Sequence, residues 1–152
     1  MADINILVAV DTRDIDQNNV DATITLLDDN QDTEMVPGIS SSFATTVRAG
    51  GGGTIQWTPV AINGIDDVRI SAILVDPKGS KGGDGFSMKP TLVAGGKAWL
   101  AKVADNDGDG EITIKYDIVV LVSNKTGQSF TLDPTIHVPP RDEAPAPEES
   151  DE

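Results

Sequence analysis

Residues 112–122, ITIKYDIVVLV, constrain the fold more tightly than any other stretch. Ile112, Ile114, Tyr116, Ile118, Val120 and Val122 occupy alternate positions, the period of two that lines up side chains on one face of a β-strand. Asp117, Val119 and Leu121 fall on the opposite face, which starts polar and becomes apolar. The later half of this strand is therefore expected to be covered on both sides. A helix would need apolar residues at spacings of three and four between proper caps, and no window of helix length provides them.

The same period recurs along the chain. Val20, Ala22, Ile24 and Leu26 alternate with Asp21, Thr23 and Thr25, and Val68, Ile70, Ala72 and Leu74 form another alternating face, stopped by Asp76 and Pro77. Shorter strand-like runs cover 4–10, 43–47, 54–57, 97–103, 129–132 and 135–138. The run Ala49-Gly50-Gly51-Gly52-Gly53 reads as a flexible hairpin connection between two of them, and GSKGGDG at 79–85 as a polar loop. Roughly seven to nine strands joined by Gly, Asp and Pro turns fit an all-β fold. The expected form is a two-sheet antiparallel β-sandwich, jelly-roll or immunoglobulin-like, with a small closed barrel as the structural alternative. With one Tyr, two Trp and three Phe available, Val, Ile and Leu must fill most of the core.

The pattern stops at Pro139-Pro140, where two prolines oppose ladder pairing. Residues 1–138 are read as the sandwich domain, and residues 139–152 as a disordered acidic Pro/Glu-rich tail. The whole chain has a formal charge of −14, and the segment 139–152 carries six acids and one arginine, so the body remains acidic at −9. Such a surface repels phosphate backbones and anionic membranes, so neither nucleic acid nor membrane is an expected partner. There is no cysteine, which removes disulfides, thiolate nucleophiles and zinc–thiolate sites. The start MADINILVAVDTRD lacks the basic region and long apolar core of a secretory signal, so a cytoplasmic protein is expected, with non-classical release left open.

One loop carries a candidate ion site. Asp105, Asp107 and Asp109 stand at positions 1, 3 and 5 of a calcium-loop pattern, with Gly110 at position 6 and Ile112 at position 8. Close carboxylates repel one another, and a hard divalent cation relieves that repulsion. Glu111 and Asp117 are candidate additional ligands, and calcium is the expected ion. Position 12, where an EF-hand has a bidentate Glu, is Tyr116, and the flanks read as strands, so this is not an EF-hand. The competing reading is an ordinary Asp-Gly turn with an acidic, solvated tip.

A second acidic run, 28–34, contains Asp28, Asp29 and Asp32, which are candidates for sugar hydroxyls or an ion, but its less regular spacing favours a solvated strand-end loop. Trp57 and Trp99 are candidate stacking surfaces for a sugar ring if exposed, and core residues if not. His137 is the only histidine. No nucleophile elbow, Walker sequence or GxGxxG is present; the glycine run at 50–53 lacks the lysine and hydroxyl residue of a phosphate loop, and the segment at 80–85 has no following helix to supply aligned amides. No enzyme activity is expected.

Several separated stretches carry a family resemblance. Ile4 to Thr12, INILVAVDT, looks like an opening strand ending in Asp-Thr; Phe43 to Val47, the glycine run and Ile55-Gln56-Trp57 look like a central hairpin. Gly96-Lys97-Ala98-Trp99 and Tyr116-Asp117-Ile118 lead to Phe130 to Val138, FTLDPTIHV, which is similar to a closing Asp-Pro-x-Ile element. In their order and spacing over residues 4–138, these stretches resemble the AidA/PixA family of bacterial inclusion-body proteins. The resemblance implies a cytoplasmic protein able to accumulate in inclusions, and in some members carbohydrate binding.

Three functional readings follow as expectations. The first is a non-enzymatic binding protein, lectin-like and calcium-assisted, with carbohydrate as its ligand. The second is a self-associating structural or storage protein of cytoplasmic inclusion bodies. A third, plainer reading is an acidic β domain that binds another protein. A homodimer is expected, formed by pairing equivalent strand edges across a two-fold axis.

Overall fold

The computed structural model describes residues 3–141 apart from 14, 17, 31–32, 37–38, 63–66, 77–84, 94, 109 and 124–127; for 33–36 and 39–41 it describes the backbone alone. Among the described residues eleven strands are formed: β1 (Ile4–Val10), β2 (Ile24–Asp28), β3 (Thr33–Val36), β4 (Ile39–Thr46), β5 (Thr54–Ala61), β6 (Val68–Val75), β7 (Phe86–Leu92), β8 (Trp99–Val103), β9 (Ile112–Val122), β10 (Phe130–Leu132) and β11 (Thr135–Val138). A single helical turn, α1 (Val20–Thr23), precedes β2. The architecture is the expected β-sandwich.

The first sheet has the order β2-β1-β5-β8-β7. In the second, β9 is the organising strand. Its early half pairs with β11 and its later half with β10 on the same edge, while β6 runs along the other edge. From β11 the sheet continues through β4 to β3. The chain moves between sheets repeatedly, with β1 and β2 in the first, β3 and β4 in the second, and β5 back in the first.

This switching changes the pairing from the antiparallel form expected. β5 returns from the second sheet to lie parallel to β1 over the full length from Ile4–Ile55 to Val10–Ala61, and β11 lies parallel to β4. Both sheets are therefore mixed. The glycine run is corrected in the same way. It links β4 in one sheet to β5 in the other, so it is a crossover between layers and not a hairpin.

The alternation at Val20–Leu26 is only half strand. Val20–Thr23 form the helical turn, and the strand begins at Ile24. Local polar groups select the turn: the Asn19 carbonyl accepts from the Ala22 and Thr23 amides, and the Thr23 hydroxyl also donates to it. Val20, Ile24 and Leu26 are nevertheless all buried, because a single helical turn still delivers its first residue to the core.

The core lies between the sheets. β9 contributes Ile114, Tyr116, Ile118 and Val120, all without exposed surface, and each such aliphatic side chain stabilises the fold by about 1.5–3 kcal/mol. Trp57 on β5 meets Tyr116 across the layers with ring centroids 5.5 Å apart at 61°, an edge-to-face contact, and its indole N–H donates to the phenol oxygen at 3.4 Å. Burial pushes the Tyr116 phenol well above its ordinary pKa, so it stays neutral.

Candidate functional site

Three segments converge at one end of the sandwich. They are the glycine crossover, the acidic loop between β8 and β9, and the residues that follow β11. The Gly50 amide donates to the Pro139 carbonyl, the Gly52 amide to Val103, the Asn106 amide to Gly50, and the Arg141 amide to Asn106. The segment read as a tail from 139 onward thus begins with residues hydrogen-bonded to the body; residues 142–152 lie outside those described. Gly51 explains the glycine requirement. Its φ is +71°, and a Cβ there would run into the Ala104 carbonyl oxygen.

The centre of the acidic loop is Asn106, which is only 3% exposed. Its side-chain amide donates to the carbonyls of Gly110 at 3.0 Å and Val138 at 2.9 Å, and its side-chain oxygen accepts from the Gly108 amide at 3.2 Å. A calcium ion in such a loop would gather carbonyl oxygens by charge. Here a neutral amide gathers them by donating hydrogen bonds.

Of the expected metal ligands, Asp107 and Glu111 turn to separate partners. Asp105 is exposed and forms an isolated β-bridge with Gly51. The Asp107 carboxylate accepts from the Arg141 guanidinium at 3.0 Å, and Glu111 pairs with the His137 ring at 3.1 Å. Asp117 lies up the β9 strand opposite Leu74, where partial burial first, and then the charges of Asp133 and Asp76, hold its pKa above the ordinary carboxylate range. Asp109 lies outside the described residues. Among those described, no three acids or histidines gather in a group that could hold a metal ion.

The other candidate residues are likewise engaged in structure. Trp57 has no exposed surface, so neither face of its indole is open to a sugar. Its position in the middle of β5, facing the opposite sheet, accounts for this. Trp99 is half-buried beside it in register and donates its N–H to the Ile70 carbonyl of the other sheet at 2.9 Å. Both tryptophans tie the layers together. Asp29 accepts from the backbone and side-chain amides of Asn5, each at 2.9 Å, and these bonds lower its pKa. Asp28 accepts from the Asn30 amide at 3.3 Å, while the Asn30 side chain crosses to Thr45 and Thr46 in the second sheet. Asp32 lies outside the described residues.

Beside Asn30 is a cleft of about 250 Å³, with Asp3, Thr46, Arg48 and Thr54 in its walls. Its charged groups are already turned toward the backbone. Asp3 accepts from the Thr54 amide at 3.0 Å, and the Arg48 Nε donates to the Gly51 carbonyl at 3.1 Å. Sequence reasoning missed Arg48, Asn106 and Arg141. The only available signal for Asn106 was an asparagine two residues before a glycine, a common turn arrangement that gives no indication of burial.

The fold and these contacts define a mixed-sheet β-sandwich whose polar residues chiefly connect its own loops and layers. The chain belongs to a domain family of unknown function, DUF8788, whose model matches residues 2–128. A search of curated proteins finds no match. Among solved structures, the chain is similar to the crystal structure of the inclusion body protein PixA from Burkholderia cenocepacia J2315. The TM-score is 0.56 and the identity 11%, over 89% of this chain and 94% of that one. The likeness is one of fold, and at that level it agrees with the resemblance read from the sequence. No helix among the described residues is long and apolar enough to cross a membrane.

Proposed function

We propose that this chain is a non-enzymatic, self-associating structural or storage protein that accumulates in cytoplasmic inclusion bodies. The observation that carries the reading is the fold shared with an inclusion body protein over nearly the whole of both chains. The arrangement of side chains supports it from a second direction. The sole histidine is paired with Glu111, and the indoles that motivated a sugar site are used in cross-sheet contacts. The carbohydrate reading therefore has less to rest on than the self-association reading. Light scattering on the purified full chain, from micromolar to near-millimolar concentration, tests the proposal. A mass that rises with concentration while the β-sheet circular dichroism stays constant is the expected result. A strict monomer throughout that range overturns it.

A further inference from the structure

The outer faces of the two sheets differ in charge. On the first, the outward positions are Asn5, Leu7 and Ala9 of β1, Thr25 and Leu27 of β2, and Gln56, Thr58 and Val60 of β5. None of these is ionisable. Leu7 sits directly opposite Leu27, and Ala9 lies between Thr25 and Val60, so the apolar side chains are contiguous across three strands. Leu7, Leu27 and Val60 are 45%, 51% and 43% exposed. Among the described residues, the charges of this sheet flank the three strands: Asp29 is held by Asn5, Asp3 by Thr54, and Lys102 and Lys89 lie on β8 and β7. The second sheet's outer face carries Arg69, Lys115 and Asp117, with the Glu111–His137 pair beside them.

We infer that the uncharged outer face of β2, β1 and β5 is the surface through which two copies of this chain associate, sheet face on sheet face. The inference rests on the self-association proposed above and names its surface. Electrostatics selects the occupant. On a chain of charge −14, most approaches of one copy to another are repulsive, and this face is the broad region where the repelling groups lie only at the edge. A basic partner would instead be drawn to the acidic surface elsewhere. Edge pairing is opposed at β7, where Pro90 and two register shifts interrupt the ladder. The area fits a weak association. Three strands spaced about 4.8 Å apart, with strand lengths near about 24 Å, give a footprint on the order of 300 Å². This lies below the roughly 800 Å² per partner of a standard interface and suits association that grows only as concentration rises. Exposed leucines packed against leucines across a face spacing of about 10 Å reproduce the packing between sheets inside a sandwich.

The test is sedimentation velocity on the full chain and on three variants. Leu7→Glu and Leu27→Glu place a charge on the proposed face, and Leu74→Glu places one at a 55% exposed leucine of β6 on the other sheet. All three positions are solvent-accessible, so the fold should tolerate the change. The expected result is association of wild type and Leu74→Glu, with the apparent dissociation constant raised at least tenfold in both Leu7→Glu and Leu27→Glu. Association that persists in both variants overturns the surface and leaves self-association standing. A wild-type monomer overturns both. Hydrogen exchange of the wild type at low and high concentration gives an answer independent of the variants. Protection gained in β1 and β2 supports the face, and protection gained only in β6 refutes it.

Discussion

Replacing Asn106 with alanine removes three hydrogen bonds from a position that is almost fully enclosed. The Val138 carbonyl lies in the buried part of this network, and leaving it without a donor costs about 1–3 kcal/mol. Gly110 and Gly108 are exposed, so water takes over there and each lost bond costs nearer about 0.5 kcal/mol. The total is about 2–4 kcal/mol, which in a domain of this size lowers the melting temperature by about 10 °C. Asn106→Asp is the sharper variant. It matches the shape but sets an acceptor against two carbonyl oxygens, so at neutral pH it should cost at least as much as alanine. Part of that loss should return in acid, where the protonated carboxyl regains a donor. Urea denaturation and thermal melts, both followed by tryptophan fluorescence, give the free energies and the melting temperatures. A shift below about 2 °C for Asn106→Ala would refute the claim that this amide organises the loop.

Three further outcomes are expected. Asp117→Asn should stabilise the protein at pH 7 by under about 1 kcal/mol. The folded-state pKa of Asp117 is raised, so the native carboxyl holds its proton more tightly than the unfolded one, and stability falls as pH rises from the unfolded pKa through the folded one. The advantage of the variant should therefore disappear toward pH 3 in a pH series of urea midpoints. Ending the chain after Arg141 should leave thermal stability unchanged, whereas ending it after Val138 removes the Pro139 carbonyl and both Arg141 contacts and should cost about 1–2 kcal/mol. Gly51→Ala should cost at least about 2 kcal/mol in the same denaturation assay, since it combines a left-handed backbone with a collision at the Ala104 carbonyl.

Much of the architecture was legible because burial follows the period of two. Ile112–Val122 form one strand whose inward positions from Ile114 onward are buried, and Thr135–Val138 is a strand with the bounds expected. Pairing was harder to read. Alternation records which face is buried but carries no direction, so the parallel β1–β5 and β11–β4 pairs left no trace in it. β7 was missed because it buries only Phe86 and carries two register shifts and a proline, the profile of an edge strand with little alternation. At the candidate site, spacing identified a loop but not its chemistry. Asp107 and Glu111 stand near one another in sequence, yet each finds its partner in the last described segment, at Arg141 and His137. Contacts so distant along the chain have no local signature. The tryptophans show the same limit, since a strand places a side chain on one face without revealing which face is covered.

The central claim is that folded copies of this acidic sandwich associate through a surface without charge. Sedimentation equilibrium of the wild-type chain at low and high sodium chloride tests it most directly. With charge repulsion outside the contact and apolar burial within it, raising the salt from about 0.05 M to 0.5 M shortens the screening length and should strengthen association severalfold. A monomer at both salt concentrations, or association that weakens as salt rises, would contradict the account.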